Sequence, residues 1–113
     1  MTTQAPSRIL FRIVTTDPPT LVDFTSNATR GRPLQNPTSE RRRQWAGLSA
    51  FATAAQARRN ARKFPQLGLF IAMLVVPDDG SVHLERTGSS GHHTIWGSPA
   101  FLLSCVAQVT SAT

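Results

Sequence analysis

Apolar residues fall into short blocks whose spacing changes along the chain. Residues 9–15 (Ile9, Leu10, Phe11, Arg12, Ile13, Val14, Thr15) are rich in β-branched and aromatic residues and uncharged with one exception, which predicts a strand buried on both faces. The exception is Arg12. Burying its charge without a partner would cost several kcal/mol, on the order expected for a lone buried ion, so it must face a solvent-filled cleft or meet an anion such as Glu85. The longest apolar block, residues 69–76, is flanked by Pro65, Gly68, Pro77 and Gly80, which argues against a helix and predicts the central strand. Residues 81–86 alternate with period two and predict a half-exposed strand with Val82 and Leu84 inward. Short strands are also expected at 48–51, 92–97 and 105–109.

Helical spacing and caps place four helices between these blocks. Asp17, followed by Pro18 and Pro19, is expected to cap a short helix in which Leu21, Phe24 and Ala28 recur at helical intervals, stopped by residues 30–33. Thr38 or Ser39 can cap a second helix through Trp45. Thr53 and Gln56 have the Thr-x-x-Gln spacing of a capping box, in which the Thr hydroxyl takes the Gln amide and the Gln side chain reaches back. In the helix that follows, Ala54, Ala57, Ala61 and Phe64 share one face, and Arg58, Arg59, Arg62 and Lys63 share the opposite half. Ser98 and Pro99 open a fourth helix over residues 100–104.

Helices concentrated early and strands late predict an α+β fold: a single small domain with a mixed or largely antiparallel sheet and three to four short helices. Residues 1–8 read as a disordered lead-in, 9–110 as the domain and 111–113 as a tail. At 113 residues the chain builds one modest core. The longest apolar stretch is too short to cross a bilayer and the first ten residues hold no leader-like apolar core, so the expectation is a cytoplasmic protein that does not enter the membrane. Cys105 stands alone, so no intramolecular disulfide forms, and its apolar neighbours give it the role of a small buried hydrophobe.

Charge changes the picture. Twelve Lys and Arg against six Asp and Glu leave a net +6, which favours an anionic small molecule or an acidic macromolecule as partner. Arginine-rich composition permits bidentate contact with phosphate or carboxylate. Two runs concentrate the charge: Arg41, Arg42 and Arg43, then Arg58, Arg59, Arg62 and Lys63. A solvated face is the simpler reading of each; on one shared surface they would contact phosphates without reading sequence.

The strings of common chemistries are missing: no Gly-rich phosphate loop, no cysteine pair, no Gly-x-Ser-x-Gly and no His-Glu-x-x-His. His92 and His93, beside Trp96, are candidates for acid/base work or ligand contact. Adjacent residues on an extended segment face opposite ways, so the pair cannot share a metal, and no metal is expected. Trp45 and Trp96 are read as core or rim anchors, with Trp96 also a candidate wall for a ligand.

Several short motifs together resemble the small ADP-ribosyltransferase-like domains, including the RES-type toxins. Leu10-Phe11-Arg12-Ile13 is similar to the first strand of that family. Gly47-Leu48-Ser49-Ala50-Phe51, followed by Ala54-Ala55-Gln56-Ala57, is similar to its serine-containing strand and Ala-rich helix, and Ile95-Trp96-Gly97-Ser98-Pro99 is similar to the approach to its last strand. The resemblance implies an NAD-binding cleft, with Arg12 on the pyrophosphate or ribose and Ser49 supporting the strand that cradles nicotinamide. The chain departs from the family in having no tyrosine and no Glu-x-Glu or Gln-x-Glu pair near its end. That leaves Glu85 as the strand carboxylate to stabilise positive charge on the ribose as nicotinamide departs, with His92 or His93 lining the cleft.

Three function classes follow. One is an NAD-handling domain that transfers ADP-ribose or hydrolyses NAD, in active or degenerate form. The second is a non-catalytic basic module for nucleic acid or an acidic protein. The third is a subunit of a larger assembly.

Overall fold

A computed structural model describes residues 7–88 and 91–113. Its six strands are β1 (Ser7–Val14), β2 (Leu48–Phe51), β3 (Phe70–Pro77), β4 (His83–Arg86), β5 (His92–Trp96) and β6 (Val106–Ser111). They form one sheet in the order β4-β5-β2-β1-β3-β6, and every neighbouring pair is antiparallel. Three α-helices, α1 (Ser39–Trp45), α2 (Ala54–Lys63) and α3 (Pro99–Ser104), are joined by 3-10 turns at Leu21–Phe24 and Pro65–Leu67. This is the expected α+β domain. Residues 1–6, most of the predicted lead-in, lie outside the described residues.

Strand alternation sends side chains to two faces. On one, Leu10, Val14, Leu48, Ala50, Ala72, Leu74, Val76 and Ile95 pack with Phe24 and with Leu102 of α3. On the other, Ile13, Phe51 and Ile71 pack against Ala57 and Ala61 of α2, whose small side chains let the helix lie close to the sheet. The capping box forms as expected: Gln56 N donates to Thr53 Oγ1 and Thr53 N to Gln56 Oε1, both at 3.1 Å. Gly91 locks this helix start to the sheet. Its φ of 79° is left-handed, its carbonyl accepts from Ala52 N, and a Cβ there would run into the Gln56 carboxamide.

Three local expectations are corrected. The apolar run of β3 is second from one edge, and β1 and β2 occupy the centre. An apolar run reports two covered faces, which any interior strand has; it carries no information about which strand lies beside it. The helix expected after Asp17 is a single 3-10 turn, because i, i+3 spacing of Leu21 and Phe24 suits three residues per turn as well as an α-helix. Asp17 is exposed, and Thr20 N donates to Asp23 Oδ2 instead; Phe24 is buried, while Leu21 and Ala28 stay exposed. Cys105 is half-buried at the C-terminal end of α3, and burial raises its thiol pKa.

The feature that makes a site is the seam between β1 and β2. β1 runs along β3 through eight register pairs from Ser7 to Val14, but meets β2 at one, Phe11 with Phe51. The two central strands therefore splay apart below that pair.

Candidate functional site: a cationic cleft over the strand seam

Arg12 stands in the splayed seam. Its Nη1 donates to the Ser49 carbonyl at 2.7 Å and its Nε to the Asp23 carbonyl at 2.8 Å, so the guanidinium ties β1 to β2 and to the 3-10 turn where ladder bonds are missing. The Asp23 carboxylate does not touch it directly; Oδ1 accepts from Thr15 N at 3.0 Å and Thr15 Oγ1 at 2.8 Å, pinning the turn to the end of β1. Burial pulls the Arg12 pKa down to about 10, opposed by the Asp23 charge and reinforced by Arg30. The group stays cationic at neutral pH.

Over this seam, between α1 and α2, opens a cleft of about 880 Å³. That volume is within the range of roughly 300–1,000 Å³ usual for small-molecule and cofactor sites. Six cations line it, Arg12, Arg30, Arg32, Arg41, Arg59 and Lys63, against one acid, Asp23. The two basic runs seen in the sequence thus meet here through one residue of the first and two of the second. Trp45 lies in the same wall, its Nε1 donating to the Arg32 carbonyl at 2.9 Å.

On the cleft floor, Ser49 and His92 come together. His92 Nε2 is 3.1 Å from Ser49 Oγ, His92 Nδ1 is 3.1 Å from Thr87 Oγ1, and Thr87 Oγ1 is 2.7 Å from Thr94 Oγ1. The imidazole packs edge-on against Phe51 with ring centroids 5.5 Å apart. Gly88 approaches the same residue, and a Cβ there would stand 3.1 Å from His92 Cβ and 3.3 Å from Nδ1. Burial, and to a smaller extent the neighbouring His93, lower the His92 pKa and favour the neutral ring.

The remaining candidates lie elsewhere. His93 faces the opposite side of the sheet, as alternation requires, and is buried with its Nδ1 2.8 Å from the Gly91 carbonyl. Glu85 and Trp96 stand outside the cleft lining at the β4–β5 end of the sheet. Glu85 is paired with Arg43 and lies 3.0 Å from His83 Nε2; hydrogen bonds from Arg43 and then His83 lower its pKa. The Arg43 guanidinium covers the Trp96 ring at 4.7 Å from its centre, and Trp96 Nε1 donates to the Arg43 carbonyl at 2.8 Å. Arg43 also holds Glu40 at 2.6 Å, so it is the neutralised member of its run. Arg42, Arg58 and Arg62 border no part of the cleft, and Arg58 reaches Thr110 Oγ1 at 3.4 Å.

Sequence reasoning missed Arg30, Arg32 and Thr87. The first two read only as a helix stop around Gly31, and Thr87 fell between the strands expected at 81–86 and 92–97. A pair of arginines flanking a glycine in a loop was the available signal.

Among the described residues, no group of three or more His, Cys, Asp or Glu is placed to hold a metal ion, and no helix is long and apolar enough to cross a membrane. Fold and site define an antiparallel α+β domain with an arginine-lined cleft. The chain matches no protein-family profile, no curated protein and no solved structure.

Proposed function

We propose that this domain binds a pyrophosphate-bearing nucleotide of the NAD type in the cationic cleft. One observation carries the reading: six cations converge with a single acid on one concavity of cofactor size, floored by Arg12. Arg12 spends two of its five N–H donors on carbonyls, which leaves three for a phosphate oxygen. Convergence on a concave surface favours a compact anion over an extended one.

The ribosyl chemistry suggested by the resemblance is the weaker half. Loss of nicotinamide builds positive charge on the ribose, which wants a carboxylate nearby. Glu85 is outside the cleft and engaged by Arg43, and the Asp23 carboxylate is engaged by Thr15 and Thr20. The reading is therefore of a nucleotide-binding domain in which ADP-ribosyl transfer or NAD hydrolysis is degenerate.

Calorimetry with NAD, ADP-ribose and AMP tests it. NAD and ADP-ribose should bind more tightly than AMP, which lacks the pyrophosphate, and Arg12→Ala should weaken both. No detectable heat at millimolar NAD overturns the reading.

A second reading, a basic module for nucleic acid or an acidic protein, is favoured by Arg42, Arg58 and Arg62, exposed or half-exposed outside the cleft. Its mark is salt: affinity for a polyanion falls steeply with ionic strength, with a slope set by the phosphates neutralised.

A further inference from the structure

The hydroxyl and imidazole on the cleft floor are arranged as a nucleophile and its base. We propose that Ser49 is a nucleophile toward phosphorus, with His92 as its general base and Thr87 holding the base in position.

Three features of the geometry carry this. Ser49 Oγ and His92 Nε2 are at hydrogen-bond distance, 3.1 Å, and Ser49 is exposed to the cleft. The second ring nitrogen is engaged by Thr87, itself engaged by Thr94. With Thr87 donating to Thr94, its lone pair accepts from His92 Nδ1–H, and Nε2 is left bare toward the serine hydroxyl. Phe51 packs edge-on against the ring, and the absence of a side chain at Gly88 leaves room for it.

The charge of the site selects the electrophile. Attack on phosphorus builds negative charge on its non-bridging oxygens, which the surrounding cations stabilise. Arg12, which lines the same cleft, is bonded to the main-chain carbonyl of Ser49, the residue that carries the reacting oxygen. A developing oxocarbenium would instead be repelled by the same groups.

The step balances with water as the only other reactant. Ser49 Oγ attacks one phosphorus of a pyrophosphate and its proton moves to His92 Nε2. The Oγ–P bond forms, the bond from that phosphorus to the bridging oxygen breaks, and the electron pair leaves with the departing phosphate, which takes the proton from His92. Water, deprotonated by His92, then attacks the phosphorus; the Oγ–P bond breaks, its electron pair stays on Oγ, and His92 returns the proton to Oγ, restoring the serine and the neutral imidazole. The substrate class, a phosphoanhydride of a nucleotide, rests on the reading of the cleft above; the nucleophile does not.

A fluorophosphonate probe on the full chain, with the adduct located by peptide mass spectrometry, tests the nucleophile directly. One adduct is expected, on Ser49. Ser49→Ala should melt like the parent and take no label there, and His92→Gln should label slower by about 100-fold or more, the lower end for loss of a general base. Thr87→Val should also slow labelling, through the position of the ring. The labelling rate should rise with pH through one ionisation below the usual histidine range, and that inflection should vanish in His92→Gln. Burial and then His93 on the same strand favour the neutral ring; the charged groups that line the same cleft are Arg12, Arg30, Arg32, Arg41, Arg59, Lys63 and Asp23, the last engaged by Thr15, while Glu85, opposite Thr94, is tied to Arg43.

No adduct on Ser49 in protein that shows the parent's cooperative melt overturns the proposal, as does a His92→Gln variant labelled as fast as the parent. Calorimetry with NAD on the same preparation separates the two readings. Labelled Ser49 without NAD binding keeps the nucleophile and rejects the nucleotide; NAD binding without labelling does the reverse.

Discussion

Replacing Arg12 by alanine removes the cross-link of the central seam. Two hydrogen bonds from a charged donor are lost, to Asp23 O and Ser49 O, each contributing about 1.5–3 kcal/mol when the partner stays dry. Two effects offset this. The guanidinium no longer has to be desolvated, the larger cause of its lowered pKa, and its repulsion by Arg30 disappears. The cleft also admits water to the freed carbonyls. A net loss of about 1–3 kcal/mol remains, which for a domain of this size lowers Tm by roughly 5–20 °C. Thermal melts followed by circular dichroism, with a denaturant titration to check that the slope is unchanged, measure it. Arg12→Lys keeps the charge but not the two-pronged geometry, so it should fall between parent and alanine. A melt of Arg12→Ala at or above that of the parent refutes the cross-link. Millimolar NAD should raise the parent's Tm and leave that of Arg12→Ala unchanged; an equal rise in both would make Arg12 purely structural and remove the main support for a nucleotide site.

Other outcomes follow from single contacts. Thr53→Ala removes the cap of α2 and should cost about 1 kcal/mol in denaturant melts. Gly91→Ala forces a left-handed residue against the Gln56 carboxamide and should cost about 1–2 kcal/mol from the backbone alone, with further loss from the displaced cap. His92 has a folded pKa below its ordinary 6.5, so the unfolded chain takes up the proton first: its share of stability is full above that value and is lost as pH falls from 6.5 through the folded pKa. His92→Gln should flatten that part of the stability profile. The carboxylates Glu40 and Glu85 are lowered by Arg43, so their contribution is present above the usual carboxylate range and disappears in stronger acid; Glu85→Gln should shrink the acid dependence while leaving NAD affinity unchanged.

Much of this protein was legible from its sequence because local signals are short-range. A run of β-branched and aromatic residues placed β1, alternation placed β2 and β4, and the opposite facing of adjacent residues on a strand put His92 and His93 on opposite faces. The caps at Thr38, Thr53 and Ser98 each began a helix, since a side-chain oxygen three residues before a free amide acts without tertiary help. Arg12 was recognisable as an ion on a buried strand in need of partners. Which partners it found was not recognisable. They are two main-chain carbonyls, from residues 11 and 37 positions away, and carbonyls leave no mark in the identity of a side chain. Tertiary structure alone set the strand order, with β1 and β2 central and splayed, because pairing depends on register across the whole sheet rather than on the apolar content of one strand. The same long-range geometry turned Arg30, Arg32, Arg41, Arg59 and Lys63 toward one cleft and drew Glu85 out to Arg43. A charge's role depends on what lies within a few ångströms of it, and only the folded chain determines that neighbourhood.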